Sequence, residues 1–253
     1  MKLARDTWLL FSHNMRATLR NPVWVMFGVF QPVCYLLLFA PLLEGITQAR
    51  GFPGGNALAV FTPGLLVMQA LFGTAFVGFG LIAALRAGVV ERMRVTPVSR
   101  LALILGLVFR DVVNFMVQAT LLLAVAWAFG LRADPAGVLI SLALMALLGL
   151  LAASCSYALA LLLGDENSFA PALNFFLLPV LLLSGILLPL TLAPAWIQAI
   201  ASVNPLAYAV DAARSLFDGS LLDPSVLVGF GVTAALALAA LWWAARSFRN
   251  ATV

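Results

Sequence analysis

Between Asp134 and Asp165 the chain carries no charged residue, and five further stretches are comparably long and apolar. Crossing about 30 Å of hydrocarbon takes about 20 apolar residues at about 1.5 Å rise each, and six stretches meet that length. They run approximately over 23–43, 59–85, 103–129, 138–163, 172–190 and 226–245. A mean hydropathy of +1.08 lies far outside the range of chains that fold in water. The stretches are rich in Leu, Ala and Val without period-2 alternation, so the predicted class is an all-α polytopic membrane protein rather than a barrel. The first block begins only at Val23, is too long for a signal h-region and lacks a nearby small-x-small site, so the first span is expected to persist.

Orientation follows from the basic residues. With the N-terminus inside, the cytoplasmic segments hold eleven of them, including Lys2, Arg5, Arg16, Arg20, Arg86, Arg92, Arg94 and Arg100. The outer segments hold three, Arg50, Arg132 and Arg214. This bias predicts cytoplasmic N- and C-termini, and the net charge of +4 needs no nucleic-acid partner to explain it.

Several chemistries lack their residues. No G-x-x-x-x-G-K-[ST] occurs and the only lysine is Lys2, so the chain has no P-loop and no ATPase site of its own. The single histidine, His13, precedes the first span, which removes zinc-protease motifs and an intramembrane Ser/His dyad. That argues against an intramembrane enzyme, and no catalytic residue or metal ligand is expected. Cys34 and Cys155 fall inside spans, where cysteine acts as a small hydrophobe. Every acidic residue is expected in a loop or near a span end, which weakens a proton- or sodium-coupled carrier, although sodium held by backbone oxygens stays open.

Residues 1–22 read as a basic amphipathic interfacial helix, with Trp8, Phe11, Met15 and Leu19 on one face, and residues 23–253 as the six-span domain. An unstructured basic tail is the alternative. The second apolar run continues past Arg86, predicting one helix over about 64–95 that projects below the membrane. On it, Gly80, Ala84 and Gly88 form a small-residue stripe fit for close helix contact, or mere Ala/Gly richness. Phe72, Phe76 and Phe79 share a face that either lines a path for an amphipathic substrate or packs against neighbours. In the third span Arg110, Asn114 and Gln118 recur at i, i+4, i+8 and should face protein or water, as helix glue or as part of that path.

After the fifth span, Pro194 and Pro205 stand where helices start, Asn204 is an N-cap candidate and Gly219 a stop. The two helices they delimit, about 10 and 13 residues, are too short to span. They either dip into the outer leaflet as a hairpin or lie on the surface.

The wettest internal stretch is ERMRVTPVSR, residues 91–100, at the foot of the second span. Its arginines alone would serve topology. Glu91, the projecting helix and the Thr96-Pro97 restart point further, to a docking lever for a cytoplasmic partner.

Two stretches carry a family resemblance: ERMRVTPVSRLALILG, and LLLSGILLPLTLAPAWIQAIASVNPLAYAVDAARSLF with its S-G, L-x-P-x-W and N-P-L-x-Y punctuation followed by Arg214. On these the chain resembles the membrane subunits of ABC exporters, specifically the type-two permeases that include the daunorubicin-resistance and nodulation lipo-oligosaccharide exporters. The resemblance implies a bacterial inner-membrane permease that pairs with a second copy or a paralogue, sits in membrane lipid, and docks two copies of an ABC ATPase. ATP and Mg would be bound by that partner. It assigns coupling to the ATPase to Glu91, Arg92, Met93, Arg94, Val95, Thr96 and Pro97. It assigns a re-entrant outer gate to the region of Ser184, Gly185, Pro189, Pro194, Trp196, Asn204 and Pro205. The cargo it implies is drug-like or lipid-like, as in multidrug efflux and antibiotic resistance. Polysaccharide or lipid-linked glycan export, or an ATP-independent carrier, is the alternative.

Overall fold

The computed structural model describes residues 2–20, 23–44, 57–88, 99–186, 190 and 193–251. Among them ten helices follow in order: α1 (Lys2–Leu19), α2 (Val23–Glu44), α3 (Ala57–Ala75), α4 (Gly78–Arg86), α5 (Arg100–Ala128), α6 (Pro135–Leu163), α7 (Glu166–Leu182), α8 (Ala195–Ala201), α9 (Pro205–Phe217) and α10 (Pro224–Ala251). Among the described residues four stretches are long and apolar enough to cross a membrane: Leu58–Arg86, Leu101–Ala128, Pro135–Leu163 and Pro224–Arg249. Two shorter apolar helical stretches, Gly28–Leu38 and Glu166–Leu182, join them in an all-helical polytopic membrane protein.

Local chemistry sets the helix ends. Asp134 accepts from Gly137 N at 2.8 Å with Pro135 in the first turn, and Gly164, at φ +64, closes α6 in the left-handed region. Asp165 immediately caps α7 through Ser168 N at 3.1 Å. That cap starts the helix at Glu166, ahead of the expected 172. The helix also stops at Leu182 rather than 190, because Ser184 N turns back to Leu181 O and Gly185 takes φ +71. The helix into the third span begins at Arg100, with Ser99 Oγ accepting from Ala102 N at 3.1 Å. Ser99 is therefore its cap, and the Thr96-Pro97 signal lies outside the described residues.

The organising element is α6, apolar on every side, with fifteen of its 29 residues buried. It packs against α3, α4, α5, α9 and α10. Around its first half, Leu65, Leu122, Leu144 and Val210 share one apolar cluster; around its second half, Ile82, Ile104, Tyr157 and Phe169 share another. A Cβ on Gly137 would come within 1.7 Å of Leu216 O, so α6 and α9 meet backbone to backbone where only glycine fits. Outside this core, α1 lies along α5 with Thr7 buried, while Trp8 and Leu19 are exposed.

The long second helix is broken. Ala75 ends α3, Phe76 and Val77 form a turn, and α4 stops at Arg86 before Gly88 at φ +67, so two helices stand where one was expected, and residues 89–95 of that stretch lie outside the described residues. Thr74 Oγ1 bonds back to Ala70 O, a pattern that bends helices. The break is repaired from α6: Ser156 Oγ donates to Ala75 O at 2.5 Å and accepts from Gly78 N at 2.9 Å. Without water, those two backbone groups would otherwise stay unpaired. Gly80, just below, meets nothing within 4 Å, so within one chain the small-residue stripe makes no close contact there.

Ser156→Ala removes both repairs and is expected to cost about 1–3 kcal/mol, read as a lower unfolding midpoint in mixed micelles. An unchanged midpoint would mean that Ser156 does not hold the break.

Candidate functional site

The hairpin of α8 and α9 is built on backbone groups that lack helical partners. Asn204 caps α9, its Oδ1 accepting from Leu206 N at 3.0 Å, with Pro205 at the first helical position. Its Nδ2 donates to Val180 O at 2.7 Å, a carbonyl near the α7 end, where Ser184 N has turned to Leu181 O instead. One amide thus ties α7 to α9. Ser184 is 1% exposed; its Oγ donates to Leu181 O at 2.6 Å and accepts from Ile186 N at 3.4 Å.

Arg214 completes the join from the far end of α9. Its Nη2 donates to Gly185 O at 2.7 Å and Ile186 O at 3.5 Å, and its Nε to Val60 O at 3.3 Å. A guanidinium suits this work because its planar fork serves several carbonyls at once. Eight of the thirteen α9 residues are buried, on the side that meets α3, α6 and α10, while Tyr208 and Asp211 are exposed on the other. The approach is close: a Cβ on Gly64 would come within 2.3 Å of Ile186 O.

Pro194 stands at the N-cap of α8, a seven-residue helix rather than the expected ten, and Trp196 and Val203 are 65% and 82% exposed on the rim. Pro189 lies outside the described residues, as do Glu91, Arg92, Met93, Arg94, Val95, Thr96 and Pro97. The two ends of that last segment are described. Arg86 pairs with Asp165 at 2.8 Å and stands 3.8 Å from Glu166, joining the foot of α4 to the α6–α7 turn, and Ser99 opens α5.

Phe72, Phe76 and Phe79 form a ladder across the α3–α4 break, with ring centroids 6.4 and 6.2 Å apart. Phe79 meets Phe169 of α7 edge-on at 4.9 Å. Asn114 is half-buried and Gln118 buried. Gln118 lies against α2, where a Cβ on Gly28 would come within 2.5 Å of its Oε1. The structure therefore brings Phe72 and Gln118 to one region between α2, α3 and α5, and leads Phe79 away from it.

One expectation is overturned. Asp111 is 7% exposed and lies well inside α5, not at a span end. It survives there because Arg110 Nε donates to its Oδ1 at 2.8 Å and the Tyr157 hydroxyl donates to its Oδ2. Arg110 Nη2 also reaches the Tyr157 hydroxyl at 3.1 Å. The pair of opposite charges at 110–111 was the available sequence signal, since a buried carboxylate needs such a partner. Cys34 and Cys155 are free thiols.

Arg214→Met is expected to release the 184–186 segment, raising hydrogen exchange there and in α9 while α4 and α7 stay protected, with a loss of about 1–3 kcal/mol. Exchange unchanged at 184–186 would show the guanidinium to be dispensable.

Similarity to known proteins follows this architecture. The transport permease ycf38 of Cyanophora paradoxa is 29% identical over 203 residues, covering 79% of this chain and 70% of its own. The daunorubicin resistance ABC transporter permease protein DrrB1 of Streptomyces coeruleorubidus is 26% identical over 208 residues, 81% of this chain and 72% of its own. The ABC-2 type transporter family matches residues 5–217, from within α1 to the last residue of α9. A match over the bundle and its α8–α9 hairpin identifies the chain as a transport permease that belongs to the ABC-2 type transporter family.

Proposed function

We propose that this permease is the membrane half of an ATP-driven exporter of amphipathic, drug-like or lipid-like compounds in a bacterial cytoplasmic membrane. It crosses six times with both termini inside, and pairs with a second permease copy to dock two ATPase subunits, which bind ATP and Mg. The outer hairpin is a re-entrant gate, and residues 91–97 are the coupling segment.

The observation that carries this reading is the fastening of the chain on either side of that segment. The ion pair of Arg86 with Asp165 and the Ser99 cap each join it to an ordered helix end. An exposed ion pair is worth about 0–1 kcal/mol, so its use here is geometric. A push on residues 91–97 passes to α4 and to the α6–α7 turn together. ATP binding on the partner would then bias inward-open and outward-open arrangements. The choice of cargo is supported by the drug named for DrrB1 and by the aromatic and aliphatic surface of the spans.

Reversing charge at both Glu91 and Arg94 is expected to cut co-purification of the ATPase at least about tenfold and abolish ATP-dependent uptake into inside-out vesicles, with membrane insertion normal. Transport by the chain alone, without an ATPase, would overturn the reading in favour of an independent carrier.

A further inference from the structure

Along the outside of the bundle, α1 and α5 leave a groove of about 530 Å³ between them, lined by Leu3, Trp8 and Phe11 of α1 and by Leu105, Phe109 and Val113 of α5 among others. The helices touch at Gly106, where a Cβ would come within 2.9 Å of Leu10 Cβ and 3.2 Å of Phe11 N. Phe11 ends the α1 lining and Leu105 ends the α5 lining, so the helices run antiparallel and Leu3 falls opposite Val113. Phe11 and Leu105 are half-buried, whereas Leu3, Phe109 and Val113 are 43%, 41% and 40% exposed. The groove is therefore closed beside Gly106 and open at the start of α1, and its ends lie about 12 Å apart along that helix.

Charge gathers at the open end. Lys2, Arg5 and Trp8 follow at i, i+3, i+6, one row that turns from the outer face of α1 onto the groove rim. There Trp8 is 65% exposed, with its ring 5.4 Å from that of Phe11. Lys2, Arg5, Arg16 and Arg20 are exposed and make no ion pair among the described residues. Asp6, the single acid of α1, stands off that row. Arg110, one residue from Phe109, is already held by Asp111 and Tyr157.

Besides Thr7, which is buried, and the Trp8 indole, the described lining is hydrocarbon, so nothing within the groove selects a polar ligand. It suits an acyl chain lying lengthwise. The choice of headgroup falls to the cations at the mouth. A zwitterionic lipid brings a positive charge of its own to them, whereas an anionic one leaves net attraction of about 1 kcal/mol per basic residue near a membrane surface. Enclosure between two helices separates such a lipid from those that coat the bundle on one side.

We propose that the groove between α1 and α5 binds one anionic phospholipid of the surrounding bilayer, its acyl chain between Trp8, Phe11 and Phe109 and its phosphate met by Lys2 and Arg5 at the open end. The site requires only that the chain sits in lipid; it does not rest on the export reading.

The test places the full chain in phosphatidylcholine nanodiscs doped with a trace of a photoactivatable lipid, either phosphatidylglycerol or phosphatidylcholine, with the same diazirine near the end of one acyl chain. After irradiation, labelled peptides containing Phe11 and Leu105 are quantified by mass spectrometry. The phosphatidylglycerol probe is expected to label them saturably and about tenfold more than the phosphatidylcholine probe. Lys2→Gln with Arg5→Gln should reduce that preference to about twofold or less, whereas Arg16→Gln with Arg20→Gln, which removes the same charge from the other end of α1, should leave it above about fivefold. Val113→Trp keeps all four cations and blocks the open end, so it should abolish labelling by both probes while labelling of α10 persists. That α10 signal reports folding, and the two charge pairs decide the matter even if the tryptophan is not tolerated. Equal labelling by the two probes leaves only the lipid that coats any membrane helix and overturns the site. Loss of preference in both charge pairs reduces it to general attraction toward a basic helix. Absence of label at Phe11 and Leu105, as when a second copy of the chain covers this face, overturns it as well. No transport or ATPase is involved, so failure here leaves the export reading standing.

Discussion

Inside a bilayer a broken backbone hydrogen bond has no water to fall back on, and the polar side chains within this bundle answer to that constraint. Ser156 spans the gap between α3 and α4. Asn204 takes the Val180 carbonyl, and Arg214 takes three carbonyls where α7 has ended and α3 has begun. Each repair comes from a different helix than the one it mends. Irregular backbone is thereby converted into tertiary contact, and the bundle is fixed by its interruptions as much as by its apolar faces.

The pattern of apolar blocks made the class of fold legible, because length and composition alone decide whether a helix can cross a membrane. The hairpin was legible through its punctuation. Asn204-Pro205 is a cap followed by a proline where α9 starts, and Gly219 follows its end with φ +82. The break at residues 76–77 was not, since no proline stands there and the repair comes from Ser156, distant in sequence. Arg110 and Asp111 were visible as charges, but their survival inside the bundle depends on a tyrosine hydroxyl on α6 that no local spacing announces. The helix start at Ser99 competed with an equally good Thr-Pro signal three residues earlier, and local preference alone does not rank them.

The polar groups sort by depth. At the foot of α4, Arg86, Asp165 and Glu166 are solvated and join segments weakly. One level in, Arg110, Asp111 and Tyr157 satisfy one another completely enough to need nothing else. Among the described residues, Thr7, Thr62, Gln69, Gln118 and Ser154 each keep a buried oxygen without a hydrogen-bond partner.

The Ser156 hydroxyl has a mechanical consequence. Since one oxygen serves both Ala75 O and Gly78 N, the two halves of the second span are registered to α6 at a single point. A movement of α4 that keeps both bonds must carry α6 with it. A slip of one helical turn, about 5.4 Å, strips both bonds at once. The joint therefore behaves as a detent, free to follow the central helix and resistant to leaving it.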